Sequence, residues 1–390
     1  MRHRLSPLFA VLAGWLLSLL PSPAHELYAQ SIEQDSTYFL LTGSYTEGSY
    51  EGEGISVYAY NQENGKMKLL STEMTKNPSY LAASADGRYV YAVNELHEDD
   101  EGAVSSFRFH KEDGTLSPVN QQPSGGGDPC YLSLSHDGSL LFVANYSGGS
   151  LSVIPVLENG SLGEPLQTIK HAGSSVDKDR QEGPHVHGVY MHPSKDLLYV
   201  TDLGTDQVVT YPIHTDSDEP LDVAAKNVYK VTPGDGPRHI VIHEGNQKAY
   251  LVKEMAGKLE VLNVNDSGKL SHMAEYKLHD DTFSGKNQGS EVRITPDGRF
   301  IYVTNRGDAD TISAFKINDD GSLSPISLVK SGGDTPRNFV VSPNGQYVVV
   351  GHQDSHDIHC FHRDTTDGSL GKANKLIETG APVHFLWIKK

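Results

Sequence analysis

The chain has 390 residues, with 50 Asp and Glu against 32 Lys and Arg, giving a formal net charge of -18. That balance excludes a generally basic nucleic-acid groove, and 37% hydrophobic with 21% charged residues excludes a disordered or membrane-embedded chain. Thirty-eight glycines, and more tyrosines (19) than phenylalanines (11), favour many short strands joined by turns.

The amino terminus reads as an export signal. Arg2 and Arg4 precede an apolar run from Leu8 to Leu20, Pro21 breaks it, and Ser22-Pro23-Ala24 offers a small-x-small cleavage site. The run is short for a bilayer span. A signal peptide over residues 1–24, cut between about 24 and 30, is expected, leaving one domain over 31–390 that is periplasmic or secreted and free of the membrane. The two cysteines, Cys130 and Cys360, fall in different repeats at different strand positions and are expected as buried free thiols.

Next in the chain come three short strands, Tyr38–Gly43, Ile55–Tyr60 and Lys66–Thr72. From Pro78 onward one phrase recurs: an apolar stretch, a tight turn, an apolar-aromatic stretch, then Asn or a charged residue. Its copies start at Pro78, Pro129, His185, Pro237, Ser290 and Pro336, and their turns (Gly87, Gly138, Lys195, Asn246, Gly298, Gly345) are 47 to 57 residues apart. A second phrase, a turn followed by Leu or Met, interleaves with it seven times, from Asn64-Gly65-Lys66-Met67 to Asp367-Gly368-Ser369-Leu370. Apolar–polar alternation in Val104–Phe109 and Thr311–Lys316 supplies a third strand per period. A four-stranded unit repeated about every 50 residues is a propeller blade. Six copies are complete; the last strand, Pro382–Lys390, joins the first three to make a seventh. The expected fold is all-β: a seven-bladed propeller with four antiparallel strands per blade, its ring closed by a blade shared between the termini.

With strands labelled A to D from the channel outward, the start of A and the end of B share one end of each blade. The unusual residues sit there. Starts of A carry Gly183-Pro184-His185-Val186-His187, Gly236-Pro237-Arg238-His239, Gly289-Ser290-Glu291 and Thr335-Pro336-Arg337-Asn338. Ends of B carry Asn94-Glu95, Asn145-Tyr146, Lys253-Glu254, Asn305-Arg306 and His352-Gln353. Radial repetition gathers them around one channel mouth, a candidate site on geometry alone. Arg238, Arg306 and Arg337 are costly to assemble without an anion or carboxylate, for which Glu254 and Glu291 are candidates. Polar insertions at 173–183 and 280–289 border the same rim as a lid. His185-x-His187 puts two imidazoles on one strand face, but no third ligand is evident, and no GxGxxG, Walker A, CxxC or Gly-x-Ser-x-Gly pattern appears. No metal and no cofactor are assigned.

On GPHVHG at 183–188, GPRH at 236–239, Glu254, GSEVRITPDGRFIYVTNRG at 289–307 and PRNFVVSPNGQYVVVGHQ at 336–353, the chain resembles the seven-bladed propeller lactonases. These comprise the propeller-type 6-phosphogluconolactonases and the related fungal carboxy-muconate lactonising enzymes. The resemblance implies a working group of His187, Arg238, Glu254 and Arg306, with His185, His239, Glu291 and Arg337 as close neighbours. Asn145, at a B end of the same rim, joins them as a substrate-binding candidate. The implied activity is hydrolysis of a sugar or aldono-lactone, 6-phosphogluconolactone-like, to the hydroxy acid; an anionic lactone as substrate, a monomer, and no nucleic-acid or membrane partner are expected. His187 is the expected base, Glu254 its orienting group or the acid, and the arginines the binders of the anionic substituent or the oxyanion. One rival, a cycloisomerase of a carboxy-muconate-type dicarboxylate, would use the same Arg and His; another is a non-catalytic propeller that binds a ligand or protein partner. Because 6-phosphogluconolactone is cytosolic, an exported chain points to an extracytoplasmic sugar lactone or uronate-derived lactone, or to a family member without lactonase activity.

Overall fold

The computed structural model describes residues 37–97 and 102–390; the expected signal segment lies outside them. Seven four-stranded antiparallel sheets form among the described residues. Strands B, such as Leu140–Asn145, are buried along their whole length because neighbouring blades cover both faces, which explains their continuous apolar sequences. Strands D at the outer edge, such as Leu323–Lys330, expose every second or third side chain instead. The core therefore lies between blades. One cluster joins Phe39 and Val57 of the first blade to Val90 and Phe107 of the second, and another joins Tyr302 and Ile312 of the sixth to Phe339 and Val350 of the seventh.

The second sequence phrase also acts between blades. Its glycine adopts positive φ, for example +79° at Gly160, where a side chain would run into the ring of Tyr89 in the preceding blade. The glycine carbonyl then accepts a hydroxyl from that blade: Ser106 Oγ to Gly160 O at 2.6 Å, Tyr199 OH to Gly268 O at 2.9 Å, Tyr250 OH to Gly321 O at 3.0 Å and Tyr302 OH to Gly368 O at 2.6 Å. A turn that sequence marks only as a strand connector is thus a latch repeated around the ring.

The first blade is built from both ends of the chain, in the order Pro382–Lys389, Tyr38–Ser44, Gly54–Asn61, Lys66–Met74. The pairing of Tyr38–Ser44 with the last strand runs from Tyr38 opposite Lys389 to Gly43 opposite His384. The last strand is also tied to both adjoining blades. His384 Nδ1 accepts the amide of Leu81 at 3.1 Å, and Trp387 Nε1 donates to the carbonyl of Val341 at 3.0 Å. Cys130 and Cys360 are buried and free, as expected.

Deleting residues 382–390 removes the inner strand of the first blade and bares the edge of Tyr38–Ser44. The expected outcome is aggregation, or loss of the single cooperative transition in a urea melt followed by tyrosine fluorescence and circular dichroism. A truncated chain that melts like the full one would contradict the closure.

Candidate active site

In every blade but the second, the inner strand begins with an irregularity. The pairing of A with B slips by one residue between Pro129 and Tyr131, Val186 and Gly188, Pro237 and His239, and Pro336 and Asn338. The residue left over is Cys130, His187, Arg238 and Arg337 respectively. A bulge of this kind leaves one residue outside the ladder and re-aims its side chain. The first and sixth blades show the same slip at Pro382/His384 and Gly289/Val292. The residue following the last paired position of B supplies Tyr45, Glu95, Tyr146 and Glu254, and in the sixth blade, where B runs on to Gly307, the equivalent residue Arg306 is still paired, opposite Gln288.

All of these but Arg238, joined by Arg180 and Gln288, line one cavity of about 300 Å³ at the channel mouth, formed by Tyr45, Glu95, Cys130, Tyr146, Arg180, His187, Glu254, Gln288, Arg306 and Arg337. A larger cleft of about 560 Å³ lies at the opposite end, among the A–B turns at Ser84–Arg88 and Ser135–Gly138. Its charged groups sit on exposed turns, and no buried base faces it, so the smaller cavity is the chemically equipped one.

Glu254 is the hub of the charges. Its Oε1 lies 2.8 Å from Arg180 Nη2, and its Oε2 lies 3.0 Å from Arg238 Nε and 2.9 Å from Arg306 Nη2. Burial alone would push this carboxyl up; Arg306, Arg238 and Arg180 more than reverse it and hold the group well below the ordinary carboxylate range. A carboxyl held that low has no proton to give at neutral pH, so of its two expected roles the acid is removed. Arg306 is pushed down to about 9, first by burial and then by Arg238 and Arg337, against the pull of Glu254. Its Nε is buried without an acceptor. Arg337 stacks 5.1 Å over the ring of Tyr45, whose hydroxyl donates to Glu95 Oε1 at 2.9 Å. Arg180, Arg238, Arg306 and Arg337 thus face only Glu95 and Glu254, leaving positive charge in excess on a chain that is acidic overall.

His187 is 6% exposed. Burial, then Arg238 and His239, keep its imidazole well below its ordinary value of 6.5, so it is neutral at pH 7. Its Nδ1 lies 4.0 Å from Cys130 Sγ, and its ring meets Tyr146 edge-on at 5.4 Å. Burial pushes the Cys130 thiol up, so it stays protonated and donates to the carbonyl of His187 at 3.4 Å.

Of the expected residues, His187, Glu254, Arg306 and Arg337 line the cavity, and Arg238 lies directly behind, against Glu254. The others lie off it. His185 stacks on Tyr146 at 4.5 Å and bonds to Glu182 Oε1 at 3.0 Å, outside the cavity wall. His239 and Glu291 lie one layer deeper, 3.4 Å apart, beside a stack of Tyr80, Tyr131 and Tyr190 that fills the channel below. Asn145 is fully buried, and its Nδ2 is spent on Ser124 O, Ser150 Oγ and Ser152 Oγ, so it holds its blade to the incoming connector. Glu95 and Tyr146 line the cavity from the rim positions where the sequence puts them, whereas Tyr45, Cys130, Arg180 and Gln288 were not placed there beforehand. The repeat register would have found the first two of these: the position after the end of B carries Tyr45, and the second position of A carries Cys130. Arg180 and Gln288 come from the insertions at 173–183 and 280–289, which do reach the rim.

Comparison with known proteins agrees with this architecture. The family model described as "Lactonase, 7-bladed beta-propeller" matches residues 39–387. A 6-phosphogluconolactonase of Formosa agariphila is 32% identical over 346 residues, covering 88% of this chain and 97% of that protein. The 6-phosphogluconolactonase of Bacillus subtilis is 30% identical over 351 residues, covering 89% and 97%. The solved structure of a periplasmic gluconolactonase from Pseudomonas aeruginosa superimposes with a TM-score of 0.86 at 36% identity, covering 90% of this chain and 99% of that one.

Replacing Glu254 with Gln keeps the shape but strands the buried guanidinium groups of Arg238 and Arg306 and frees the half-exposed one of Arg180. The expected loss is about 3–5 kcal/mol of unfolding free energy in urea, the usual cost of breaking a buried ion pair from one side. Acid should act through the histidines. His187, His239 and His384 are all held well below 6.5 by burial, so below that pH the unfolded chain binds protons that the folded chain does not, and stability falls as pH falls. The urea midpoint is expected to be lower at pH 5.5 than at 7.5, with the difference reduced in His384→Gln.

Proposed function

The chain belongs to the seven-bladed β-propeller lactonase family and is a lactone hydrolase, and we propose that it opens an anionic sugar lactone to the hydroxy acid in the cavity around His187. The observation that carries this reading is the convergence, on one cavity, of a neutral buried imidazole and an excess of guanidinium groups. A cavity of about 300 Å³ is at the lower end of small-ligand pockets and suits one hexose-sized ring.

The reaction follows from these groups. A neutral ring nitrogen of His187 takes a proton from water as the oxygen adds to the lactone carbonyl carbon. The C=O electron pair moves onto oxygen, and the guanidinium of Arg306 in the cavity wall stabilises that oxyanion. Collapse re-forms C=O and breaks the bond to the ring oxygen, which receives the proton from the imidazolium. The product is the hydroxy acid, ionised at neutral pH. Glu254 keeps Arg180, Arg238 and Arg306 fixed and charged through both steps, so little reorganisation accompanies the change in charge. Arg337 is left to hold the anionic substituent. The apolar leader at 8–20 and the similarity to the periplasmic gluconolactonase support action outside the cytoplasm, on a sugar lactone available there.

In a pH-stat with glucono-lactone and 6-phosphogluconolactone, His187→Ala and Arg306→Ala are each expected to lower kcat/KM by about 100-fold or more, as loss of a base or an oxyanion donor does. Melting temperature should move by only a few degrees for His187→Ala. Arg337→Ala should raise KM for the phosphorylated lactone more than for the neutral one. Wild-type rates in both His187→Ala and Arg306→Ala would place the chemistry elsewhere on the propeller.

A further inference from the structure

In most blades a residue at or near the end of strand B ties the blade to the connector arriving from the previous one. Asn94 Nδ2 donates to the carbonyl of Lys76 at 2.6 Å, Asn145 Nδ2 to that of Ser124 at 3.3 Å and Asn305 Nδ2 to that of Leu278 at 3.1 Å. In the fourth blade Asp202 pairs with His171 at 2.8 Å, and in the fifth Lys253 pairs with Asp235 at 2.6 Å. The seventh blade breaks the pattern. His352 ends its strand B, Asp357 stands directly opposite on strand C, and His359 is two residues further along the same face. All three are buried, at 0%, 5% and 8% exposure. Yet neither ring nitrogen of His352 and neither of His359 makes a hydrogen bond.

Four unpaired imidazole nitrogens in one buried cluster are costly if nothing else meets them. Their spacing shows what would. One donor atom from each residue lies within 4.8 Å of the others. His352 Nδ1 is 2.9 Å from Asp357 Oδ1, and His359 Nε2 is 3.3 Å from Asp357 Oδ2. Both carboxylate oxygens are near the rings but off the line an N–H would need, so three potential metal donors stand close together with no hydrogen bond among them. A tetrahedral zinc shell with bonds of about 2.0–2.2 Å spaces its donors about 3.3–3.6 Å apart. The connector leaves room for the rings: a side chain on Gly332 or Gly333 would collide with His359 in the first case and with His352 and Asp357 in the second.

We propose that His352, Asp357 and His359 form a binding site for a zinc-like divalent cation at the seam between the sixth and seventh blades. Two imidazoles and one carboxylate are a donor set suited to zinc, with water completing four ligands. The three residues lie outside the wall of the lactone cavity, so the ion is structural and does not act on substrate. It holds strands B and C and the adjoining connector together where the other blades use an amide or an ion pair. One step beyond His352, Gln353 accepts from Arg337 Nη1 at 3.4 Å, so the pinned hairpin also supports a cavity-wall arginine. Lys375 Nζ, 3.3 Å from Asp357 Oδ2, competes for the same carboxylate, but it is half-exposed and also pairs with Glu378 at 2.7 Å, so it can turn outward.

The test uses untagged full-length chain stripped with EDTA and titrated with zinc against a chromophoric chelator. Expected are one zinc per chain, a raised melting temperature, at least tenfold weaker binding in His359→Asn and Asp357→Asn, and tighter binding in Lys375→Met, which removes the competing ammonium. Cobalt(II) added to the stripped wild type should give the intense visible absorption of a four-coordinate ion. That measurement decides the matter if the His and Asp variants fail to fold. No stoichiometric zinc, equal binding in folded His359→Asn, or only the weak spectrum of six-coordinate cobalt would overturn the proposal.

Discussion

Everything at the channel mouth depends on the ring being shut by its last strand. The cavity takes Tyr45 from the first blade, Glu95 from the second, Tyr146 from the third, His187 from the fourth, Glu254 from the fifth, Arg306 from the sixth and Arg337 from the seventh. No two blades alone could make it. Pro382–Lys389 pairs with Tyr38–Ser44 and bonds sideways to Leu81 and to Val341, so it fixes the first blade against both neighbours. Contacts between residues hundreds of positions apart in the chain thereby set distances of a few ångströms at the site.

Within the closed ring, the one-residue slip at the head of strand A separates structural from chemical positions. The residues after the slip, such as Tyr131, His239 and Asn338, pack below as a layer that plugs the channel. The slipped residues, Cys130, His187, Arg238 and Arg337, are released from ladder geometry and point toward the mouth. A regular strand would have sent them to a blade face, between sheets, where a guanidinium could not be tolerated.

The charges assembled this way are stable because they are unequal in a particular manner. One carboxylate, Glu254, is shared by three arginines, so each cation is only partly compensated. Complete pairing would leave the cavity neutral and indifferent to an anion; no pairing would make the fold too expensive. The same partial compensation, with burial, keeps His187 unprotonated and able to accept a proton at neutral pH. Binding of an anionic lactone and activation of water thus share one electrostatic cause.

The sequence by itself determined the architecture. Turn residues such as Gly138 and Gly298, spaced by one blade length, and continuous apolar strands such as Leu140–Ala144 are local features, and local features survive in a linear reading. The strand left over at each end fixed the manner of closure for the same reason. The rim as a whole was also legible, since matched positions of radial repeats must share one end of the ring; this is how His187, Arg238, Glu254, Arg306 and Arg337 were found. What only the tertiary structure decided was which rim residues look inward. His185 and His187 are two residues apart, yet one stacks behind Tyr146 and the other enters the cavity, because the slip falls between Val186 and Gly188. Asn145 and Tyr146 are adjacent, yet one holds a connector and the other lines the wall. Arg180 arrives from an insertion that follows no repeat, and its partner Glu254 is 74 residues away. Pairings across that span depend on how seven sheets are arranged in a ring, and no local pattern encodes them.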